Sequence, residues 1–349
     1  MIEEFGPDDS IHNYFMLEIR PTTKCNYNCF YCTDLHINSN PIIKHNTANI
    51  VCLIEYIKRY TNKHIYIYIC GGEPTIYPNL HVFINEISVA LDINDKLVIQ
   101  TNLSRNLSWI KNFLEKIECI DIITIACSYH NTQNVHLFDY IKKCLFLKSK
   151  DVLEIIYFSY NSKKCVIQDY EQLQEMVGKK YCELAPLILS SVSQIPAEGN
   201  YTGKETEFAC EASNFKYGTE NGGDSSYFKK NLNYITSNRE SKYISHVEAW
   251  HTGINNFNGY NCTVSRNKMY IDWDGGCYRC FNEQFSNKPP VFNINHDNFN
   301  CDNYFKQLKC MTCPFTTCFF DLDYKKTRQS NITNQEVIII NKTYNEGTN

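Results

Sequence analysis

The sequence predicts an α/β fold with a parallel sheet, followed by a small cysteine-rich extension toward the C-terminal end. Segments with apolar residues at every second position alternate about six times with segments of helical periodicity between residues 14 and 192. Such alternation is typical of βαβ units, which have parallel strands and right-handed crossovers. Six units form either an open doubly wound sheet or an incomplete barrel. In both folds, ligands bind at the carboxyl ends of the strands.

The strands are short apolar runs, and Ile65, Ile67 and Ile69 of the second run alternate with tyrosines. The predicted strands are YFMLEI (14–19), HIYIYIC (64–70), KLVIQT (96–101), DIITIACS (121–128), LEIIYFSY (153–160) and ELAPLILSSV (183–192). The segments between them have apolar residues spaced for one helix face, and Thr47 is a candidate cap for the first. The predicted helices are 47–60, 78–91, 106–117, 136–148 and 170–179.

The alternation stops near residue 194, and composition divides the rest of the chain. Residues 195–230 are rich in Gly, Ser, Asn and Thr, which favours a linker or a loop over the site. The polar tail contains one apolar run, EVIIIN, which is expected to add an edge strand or a docking segment. The predicted division is a core at 12–194, a linker or lid at 195–244, a cysteine-rich domain at 245–325 and a tail at 326–349.

Composition excludes several classes of protein. The 349 residues carry a formal net charge of -4 and no long basic run, which argues against binding to nucleic acid. No apolar stretch reaches the roughly 18 residues needed to cross a membrane. The start, MIEEFGPDDS, is acidic and polar, unlike a signal or transit peptide, so a cytoplasmic location is expected. In such a chain, 18 cysteines indicate metal or redox chemistry rather than disulfides.

Three of these cysteines follow the first strand directly, in the stretch CNYNCFYC. Cys25, Cys29 and Cys32 therefore lie on the first βα loop, at the ligand-binding edge of the sheet. Structural zinc sites and iron–sulfur cubes usually take four protein ligands, and no fourth cysteine is nearby. Three thiolates leave one coordination position of a metal centre for an outside molecule.

The second strand ends in a motif at the same edge of the sheet. Gly71 and Gly72 permit a sharp turn with close backbone approach, and Glu73 then presents a carboxylate before Pro74. Taken alone, GGEP is a common turn. Beside the three cysteines, on the neighbouring strand, it indicates a site.

The two motifs in this order resemble those of radical S-adenosylmethionine (SAM) enzymes. CNYNCFYC matches their CxxxCxxC signature, with aromatic Tyr31 at the favoured place, and GGEP matches their second-strand motif. The resemblance covers roughly residues 14–192. It implies a partial (β/α)6, TIM-like barrel, and reductive cleavage of SAM to a 5′-deoxyadenosyl radical that removes a hydrogen atom from a substrate.

The resemblance also implies roles for individual residues. Cys25, Cys29 and Cys32 would hold three irons of a [4Fe–4S] cluster whose fourth iron binds SAM. The residues expected to contact SAM are Tyr31 through its backbone, Gly71, Gly72 and Glu73 of the motif completed by Pro74, Thr101 and Asn102, and Ser128. Thr101 and Asn102 lie where the family often has TNG, and Leu103 departs from that pattern.

The C-terminal cysteines resemble the SPASM/Twitch extension of the same enzymes. There, a cysteine precedes a hairpin with a DG turn, a second cysteine follows it, and a later CxxC completes an auxiliary [4Fe–4S] cluster. The corresponding residues are Cys262, Cys280, Cys310 and Cys313, around the turn Asp274-Gly275. Cys318 is an alternative to Cys310, and Cys277 and Cys301 have no assigned place. A structural zinc ribbon has compatible spacing.

The expected function is radical modification of a peptide or protein side chain, with electrons from a donor such as flavodoxin or ferredoxin. Dehydrogenation or epimerisation of a sugar or other small metabolite is an alternative, and a zinc-binding regulatory or nucleic-acid module is an alternative of another class. His130 is a candidate substrate contact or an ordinary loop residue. Cys127 and Cys210 are candidate hydrogen-atom donors or ordinary small residues.

Overall fold

The computed structural model describes a large part of the chain. The described residues are 2–5, 13–29, 32, 40–133, 135–160, 167–186, 232–236, 239–244, 256–286, 288–297, 299–300, 311–313 and 326–328. Several predicted features lie outside them, namely Tyr31, Cys210, Cys301, Cys310, Cys318, the segment 195–230 and the EVIIIN run. Among the helices of the described ranges, none combines the length and hydropathy that a bilayer span requires.

Six parallel strands form the centre of the molecule. They are β2 (Tyr14–Thr22), β3 (His64–Gly71), β4 (Lys96–Thr101), β5 (Ile123–Tyr129), β6 (Leu153–Tyr160) and β7 (Cys182–Pro186). Each pairs with the next along the chain, so spatial order equals sequence order. Constant order with one helix per crossover is the topology of a barrel, and the sheet stays open, so the predicted partial barrel is confirmed.

Five helices cross between these strands: α1 (Thr47–Thr61), α2 (Leu80–Ser88), α3 (Leu107–Glu115), α4 (Leu137–Ser149) and α5 (Ile167–Val177). The cap of α1 is Asn46 rather than the predicted Thr47, since the Asn46 side chain accepts a hydrogen bond from the backbone N–H of Asn49. Asn106 caps α3 in the same way, through Trp109 N–H.

The two faces of the sheet differ in polarity. The outer face supplies the large apolar core against the helices, including Phe15, Leu17 and Ile19 of β2. A smaller apolar layer lies on the opposite, inner face; it consists of Met16, Tyr66, Val98, Ala126 and Ile155. Further toward the carboxyl ends, the strand alternation places Glu18, Gln100 and Ser128 on the inner face. The inner face thus becomes polar at the end where ligands bind.

A hairpin from the C-terminal region extends the same sheet. Strand β11 (Lys268–Ile271) pairs in parallel with β2, and β12 (Gly276–Tyr278) and β13 (Phe292–Asn293) continue the sheet in antiparallel fashion. Two ion pairs join β2 to the hairpin: Lys268 Nζ lies 3.0 Å from Glu18 Oε2, and Arg20 Nη1 lies 3.6 Å from Asp272 Oδ1. The sequence pattern does not predict this attachment.

A second, antiparallel sheet gathers segments from both ends of the chain. Its strands, in spatial order, are β14 (Met311–Thr312), β10 (Tyr260–Cys262), β15 (Lys326–Arg328), β1 (Ile2–Phe5), β8 (Leu232–Thr236) and β9 (Ser241–Ile244). β8 and β9 fall within the range 195–244, where a linker was expected, so its last part is regular structure. The short helix α6 (Phe281–Phe285) follows β12.

Candidate active site

The three-cysteine loop lies where β2 ends, at the carboxyl edge of the sheet. Cys29 is buried, and Cys25 and Cys32 are partly exposed. The backbone N–H of Cys32 donates to the carbonyl of Cys29 at 3.0 Å, which closes a turn around the last two cysteines. The loop thus combines one buried cysteine with two that are partly accessible.

Cys25 receives two N–H donors at its sulfur. The backbone N–H of Tyr27 lies 3.4 Å from Cys25 Sγ, and the side-chain amide of Asn102 lies 3.8 Å from it. N–H groups directed at cysteine sulfurs stabilise thiolates and tune the potential of iron–sulfur clusters. The donor set and its surroundings therefore fit the ligand role expected for Cys25.

The two glycines of GGEP press against the backbone that leads into the cysteine loop. Gly72 N–H donates to the carbonyl of Thr22, and Glu73 N–H donates to that of Lys24, at 3.0 and 2.8 Å. A Cβ at Gly72 would lie 2.2 Å from the Lys24 carbonyl oxygen, so no other residue fits. The motif thereby fixes the start of the cysteine loop through backbone contacts, a role that spacing alone did not reveal.

Glu73 is the hub of a buried hydrogen-bond network. Its Oε1 accepts hydrogen bonds from the backbone N–H and hydroxyl of Thr75, at 3.1 and 2.6 Å, and from the Thr101 hydroxyl at 2.7 Å. Its Oε2 accepts one, from Asn102 N–H at 2.7 Å. Burial raises the pKa of Glu73, and these donors act in the opposite direction. Oε2 retains capacity for one more donor, which is compatible with the predicted contact to a ligand amino group.

Pro74, the last residue of the motif, is buried and opens a single 3-10 turn, Pro74–Ile76. Proline suits the first position of a helical turn because the missing N–H needs no partner there. The turn brings Thr75 back to Glu73, so the proline contributes to the network indirectly.

Asn102 joins the end of β4 to the cysteine loop. Besides Cys25, its side-chain amide donates to Asn26 Oδ1 at 3.0 Å, and its own Oδ1 accepts from Ser104 N–H at 3.0 Å. The next residue, Leu103, has a φ of 56°, in the left-handed region that favours glycine. The backbone therefore keeps the glycine-type conformation of the TNG pattern although this chain has leucine there.

The loop after β5 forms the other wall of the site. Asn28 N–H donates to Gln133 Oε1 at 3.2 Å, and the rings of Tyr27 and His130 meet edge to face at 6.0 Å. Burial lowers the pKa of His130 to about 4, so the imidazole is neutral near pH 7. Burial, together with the charges of Glu73, Cys29 and Cys25, raises the pKa of Tyr27 to about 12. His130 thus contacts the cysteine loop, which its sequence position alone did not predict.

Ser128 and the inner-face polar residues occupy the space above the apolar layer. Ser128 is buried, and its hydroxyl accepts a hydrogen bond from Gln100 Nε2 at 3.2 Å. Cys70 Sγ donates to Glu18 Oε1 at 3.3 Å. Gln100, Glu18 and Cys70 were not singled out from the sequence. The alternation of polar with apolar residues within the strands was the available signal.

Three of the predicted auxiliary-cluster cysteines lie in the described part of the chain. Cys262 and Cys280 are buried in one small cluster with Val264. Cys313 is buried, and its N–H donates to the carbonyl of Tyr260, two residues before Cys262, at 2.7 Å. The predicted turn is present, with Gly275 at a φ of 85°. Cys277 instead packs in the outer-face core.

Cys127 is separated from the site by the sheet. Its side chain is fully buried on the outer face, in a core with Tyr140, Cys144 and Cys182. A hydrogen-atom donor must reach the substrate on the inner face. This placement favours the role of an ordinary small core residue for Cys127.

The comparisons with known proteins agree with this architecture. The Radical SAM superfamily model matches residues 19–155. The fold resembles SuiB of Streptococcus suis, solved bound to precursor peptide SuiA, with TM-score 0.54 and 16% identity over 83% of this chain and 64% of that one. It also resembles anSMEcpe with bound AdoMet, with TM-score 0.55 and 17% identity over 84% of this chain and 80% of that one.

A further structure of anSMEcpe, with AdoMet and Kp18Cys peptide, has TM-score 0.54 and 19% identity, over the same shares of both chains. At such identities the likeness establishes the fold, and this chain spans only 64% of the length of SuiB. No curated protein sequence matches. The sequence match covers the strands that carry the cysteine loop, GGEP and Thr101-Asn102, so residues 19–155 match a radical SAM domain and the rest of the chain lies outside that match.

Proposed function

We propose that this protein is a radical SAM enzyme that removes a hydrogen atom from a peptide or protein side chain. One observation carries the proposal: Cys25, Glu73 and Asn102, from three different strand ends, are joined by hydrogen bonds at the carboxyl edge of an open barrel. The domain match implies the same cofactors, a [4Fe–4S] cluster and SAM.

We assign the cluster to Cys25, Cys29 and Cys32. Held by these three thiolates, a [4Fe–4S] cluster would provide the one-electron reduction of SAM that hydrogen removal from the substrate requires. Asn102 and the Tyr27 backbone donate to Cys25 Sγ and hold its thiolate. Glu73 fixes the ends of β3 and β4 relative to each other through Thr75 and Thr101. Both networks keep the site rigid, as accurate hydrogen transfer requires.

We assign the inner face of the barrel to the substrate. Gln100 supplies a polar group there, and we keep Thr101, Asn102, Ser128 and the GGEP residues as the proposed SAM contacts. A second cluster at Cys262, Cys280 and Cys313, with Cys310 or Cys318 as the fourth ligand, is proposed as a relay for the substrate electron. The buried packing of Cys262 with Cys280 supports this assignment.

The preference for a polypeptide substrate rests on the peptide-bound structures of SuiB and anSMEcpe that share the fold. A small metabolite is the second candidate, because the inner face carries charged groups such as Glu18 and Arg20. Electrons are proposed to arrive from a donor such as flavodoxin or ferredoxin.

A deuterium-transfer experiment separates the two substrate classes. An extract of cells grown in deuterated medium is divided into polypeptide and small-molecule fractions, and each is incubated anaerobically with the enzyme, SAM and dithionite. The hydrogen taken from substrate ends in 5′-deoxyadenosine, where mass spectrometry detects the deuterium. Label from the polypeptide fraction alone supports the proposal, and label from the small-molecule fraction alone supports the alternative. The Cys25→Ala variant provides the background.

Metal analysis tests the alternative of another class, a zinc module. Anaerobically purified protein is expected to be brown, with about eight irons per chain if both clusters are present. Colourless protein that contains zinc in place of iron would exclude the proposed function.

A further inference from the structure

A cleft of about 360 Å³ lies between α2 and α3, outside the barrel lumen. Its walls are residues 75–81, which lead into α2, and one face of α3 with the loop before it. This volume is within the range of small-ligand sites. The cofactor roles proposed above use none of the cleft's charged groups.

The cleft is basic in a chain that is acidic overall. Arg105, Lys116 and His81 line it, and none of its lining residues is Asp or Glu, whereas the whole chain has a net charge of -4. Within the described residues, no carboxylate lies within ion-pair distance of Arg105 or Lys116. Basic groups gathered in one concave site without acidic partners favour an anionic ligand.

Arg105 is held in place but keeps unused donors. Its Nη2 donates to the carbonyl of Thr75 at 2.9 Å, and its guanidinium lies 5.2 Å from the Trp109 ring centre. Its buried Nε has no acceptor among the described residues. A guanidinium oriented in this way is pre-organised for a carboxylate or phosphate.

The first turn of α2 adds a second source of positive potential. Asn79 precedes the helix with a φ of 54°, and its side chain makes no capping hydrogen bond. His81 lies in this first turn. Uncapped N–H groups and the helix dipole attract anions at the start of a helix.

We propose that this cleft binds the carboxylate or phosphate group of a ligand whose apolar part packs against Trp109 and Ile76. The anion lies beside Arg105 and the start of α2, and Lys116 lines the same cleft from the opposite end of α3. Because Arg105 also holds the Thr75 carbonyl, the ligand lies close to the Glu73 network but outside the proposed SAM site. This proposal is independent of the proposed radical chemistry.

Calorimetric titration of the full chain with phenyl phosphate, benzoate, inorganic phosphate and phenol tests the proposal. Phenyl phosphate or benzoate is expected to bind with a dissociation constant on the order of 1 mM or tighter. Inorganic phosphate is expected to bind more weakly, and neutral phenol not at all. Arg105→Gln should weaken binding about 10-fold, because it removes the positive charge nearest the anion. Lys116→Gln should weaken binding by a smaller factor, because Lys116 lies at the opposite end of α3. Lys111→Gln is the matched control, because Lys111 is on α3 but outside the cleft.

The natural source of the anion is distinguished by a second probe, an acetylated Phe-Glu dipeptide amide. Tighter binding of the dipeptide than of phenyl phosphate indicates an acidic side chain of a polypeptide, and the reverse order indicates a free small molecule. Absence of saturable binding by every anionic probe overturns the proposal. Binding that survives both Arg105→Gln and Lys116→Gln unchanged also overturns the proposal. Lys116 is exposed, so Lys116→Gln is expected to leave folding intact.

Discussion

At the scale of single residues, Glu73 shows how a motif residue serves the site through its neighbours. Its carboxylate is nearly inaccessible to solvent and accepts four hydrogen bonds from Thr75, Thr101 and Asn102. A glutamine at this position would direct amide N–H groups at some of these donors. The acceptor-only chemistry of an ionised carboxylate explains why this hub is glutamate.

Leu103 offers a test of backbone strain beside the site. Leu103→Ala removes a buried side chain and should destabilise the fold by about 3 kcal/mol. Leu103→Gly removes slightly more but relieves the left-handed φ of 56°, so it should be more stable than the alanine variant by about 1 kcal/mol. Urea unfolding of both variants measures the difference. At Leu114, inside α3, the order should reverse. If the glycine variant were less stable than the alanine variant at both positions, the strain argument would be contradicted.

His130 predicts a specific dependence of stability on pH. Burial lowers its pKa to about 4, below the ordinary value of about 6.5 that the unfolded chain retains. As pH falls, the unfolded state therefore takes up the proton first. The stability that neutral His130 contributes is complete above about pH 6.5 and is lost as pH falls toward 4.

Urea unfolding at pH 7 and pH 5 measures this contribution. Between pH 7 and pH 5, the free energy of unfolding of the native protein should fall by about 1 kcal/mol more than that of His130→Gln, after allowance for partial exposure of the ring. Equal losses in the two proteins would show that the His130 environment is more open than its contact with Tyr27 indicates.

At the scale of elements, the union of β11 with β2 is the least expected feature. The two strands are separated by more than 200 residues, yet they pair in parallel over four residues, Lys268 to Ile271 against Met16 to Ile19. The Lys268–Glu18 ion pair lies on the inner face with both side chains largely buried. A buried charge left without its partner is costly, so this pair links the hairpin to the barrel.

A double-mutant cycle tests that link. Lys268→Met leaves Glu18 unpaired and should lower the free energy of unfolding by about 3 kcal/mol. Adding Glu18→Gln removes the unpaired charge, and the double variant should recover at least about half of that loss. Urea unfolding of the two single variants and the double variant gives the coupling. Strictly additive effects would mean that the ion pair does not join the hairpin to β2.

At the scale of the whole molecule, local sequence patterns predicted the barrel but could not predict which strands pair when they are distant in the chain. Ile65, Ile67 and Ile69 alternate and pack outward, so β3 was readable from its own residues. The position of β11 and the strands β1 and β15 depend on partners hundreds of residues away, and the short segments of β1 and β15 carry no periodic signal. Strands of three or four residues are decided by tertiary contacts.

In the site too, local features were predictable from the sequence and contacts between distant residues were not. The spacing of Cys25, Cys29 and Cys32 and the GGEP turn were visible in the sequence because their chemistry is local. The contacts of Asn102 with Cys25 and of Gln133 with Asn28 join residues that are far apart in the chain. The glycine pair predicted a sharp turn with close backbone approach, and the structure identifies the partner of that approach, because a side chain at Gly72 would collide with the Lys24 carbonyl.

The most direct test of the central claim is the formation of 5′-deoxyadenosine from SAM and dithionite under anaerobic conditions. The native protein is expected to form it, and the Cys25→Ala, Cys29→Ala and Cys32→Ala variants should fall to the level without enzyme. Cys52→Ala, on the exposed side of α1, serves as the matched control and should retain full activity. Cys313→Ala should retain part of it, since that cysteine belongs to the proposed second cluster. Product from a variant that lacks Cys25, Cys29 and Cys32, or no product from the iron-loaded native protein, would contradict the account.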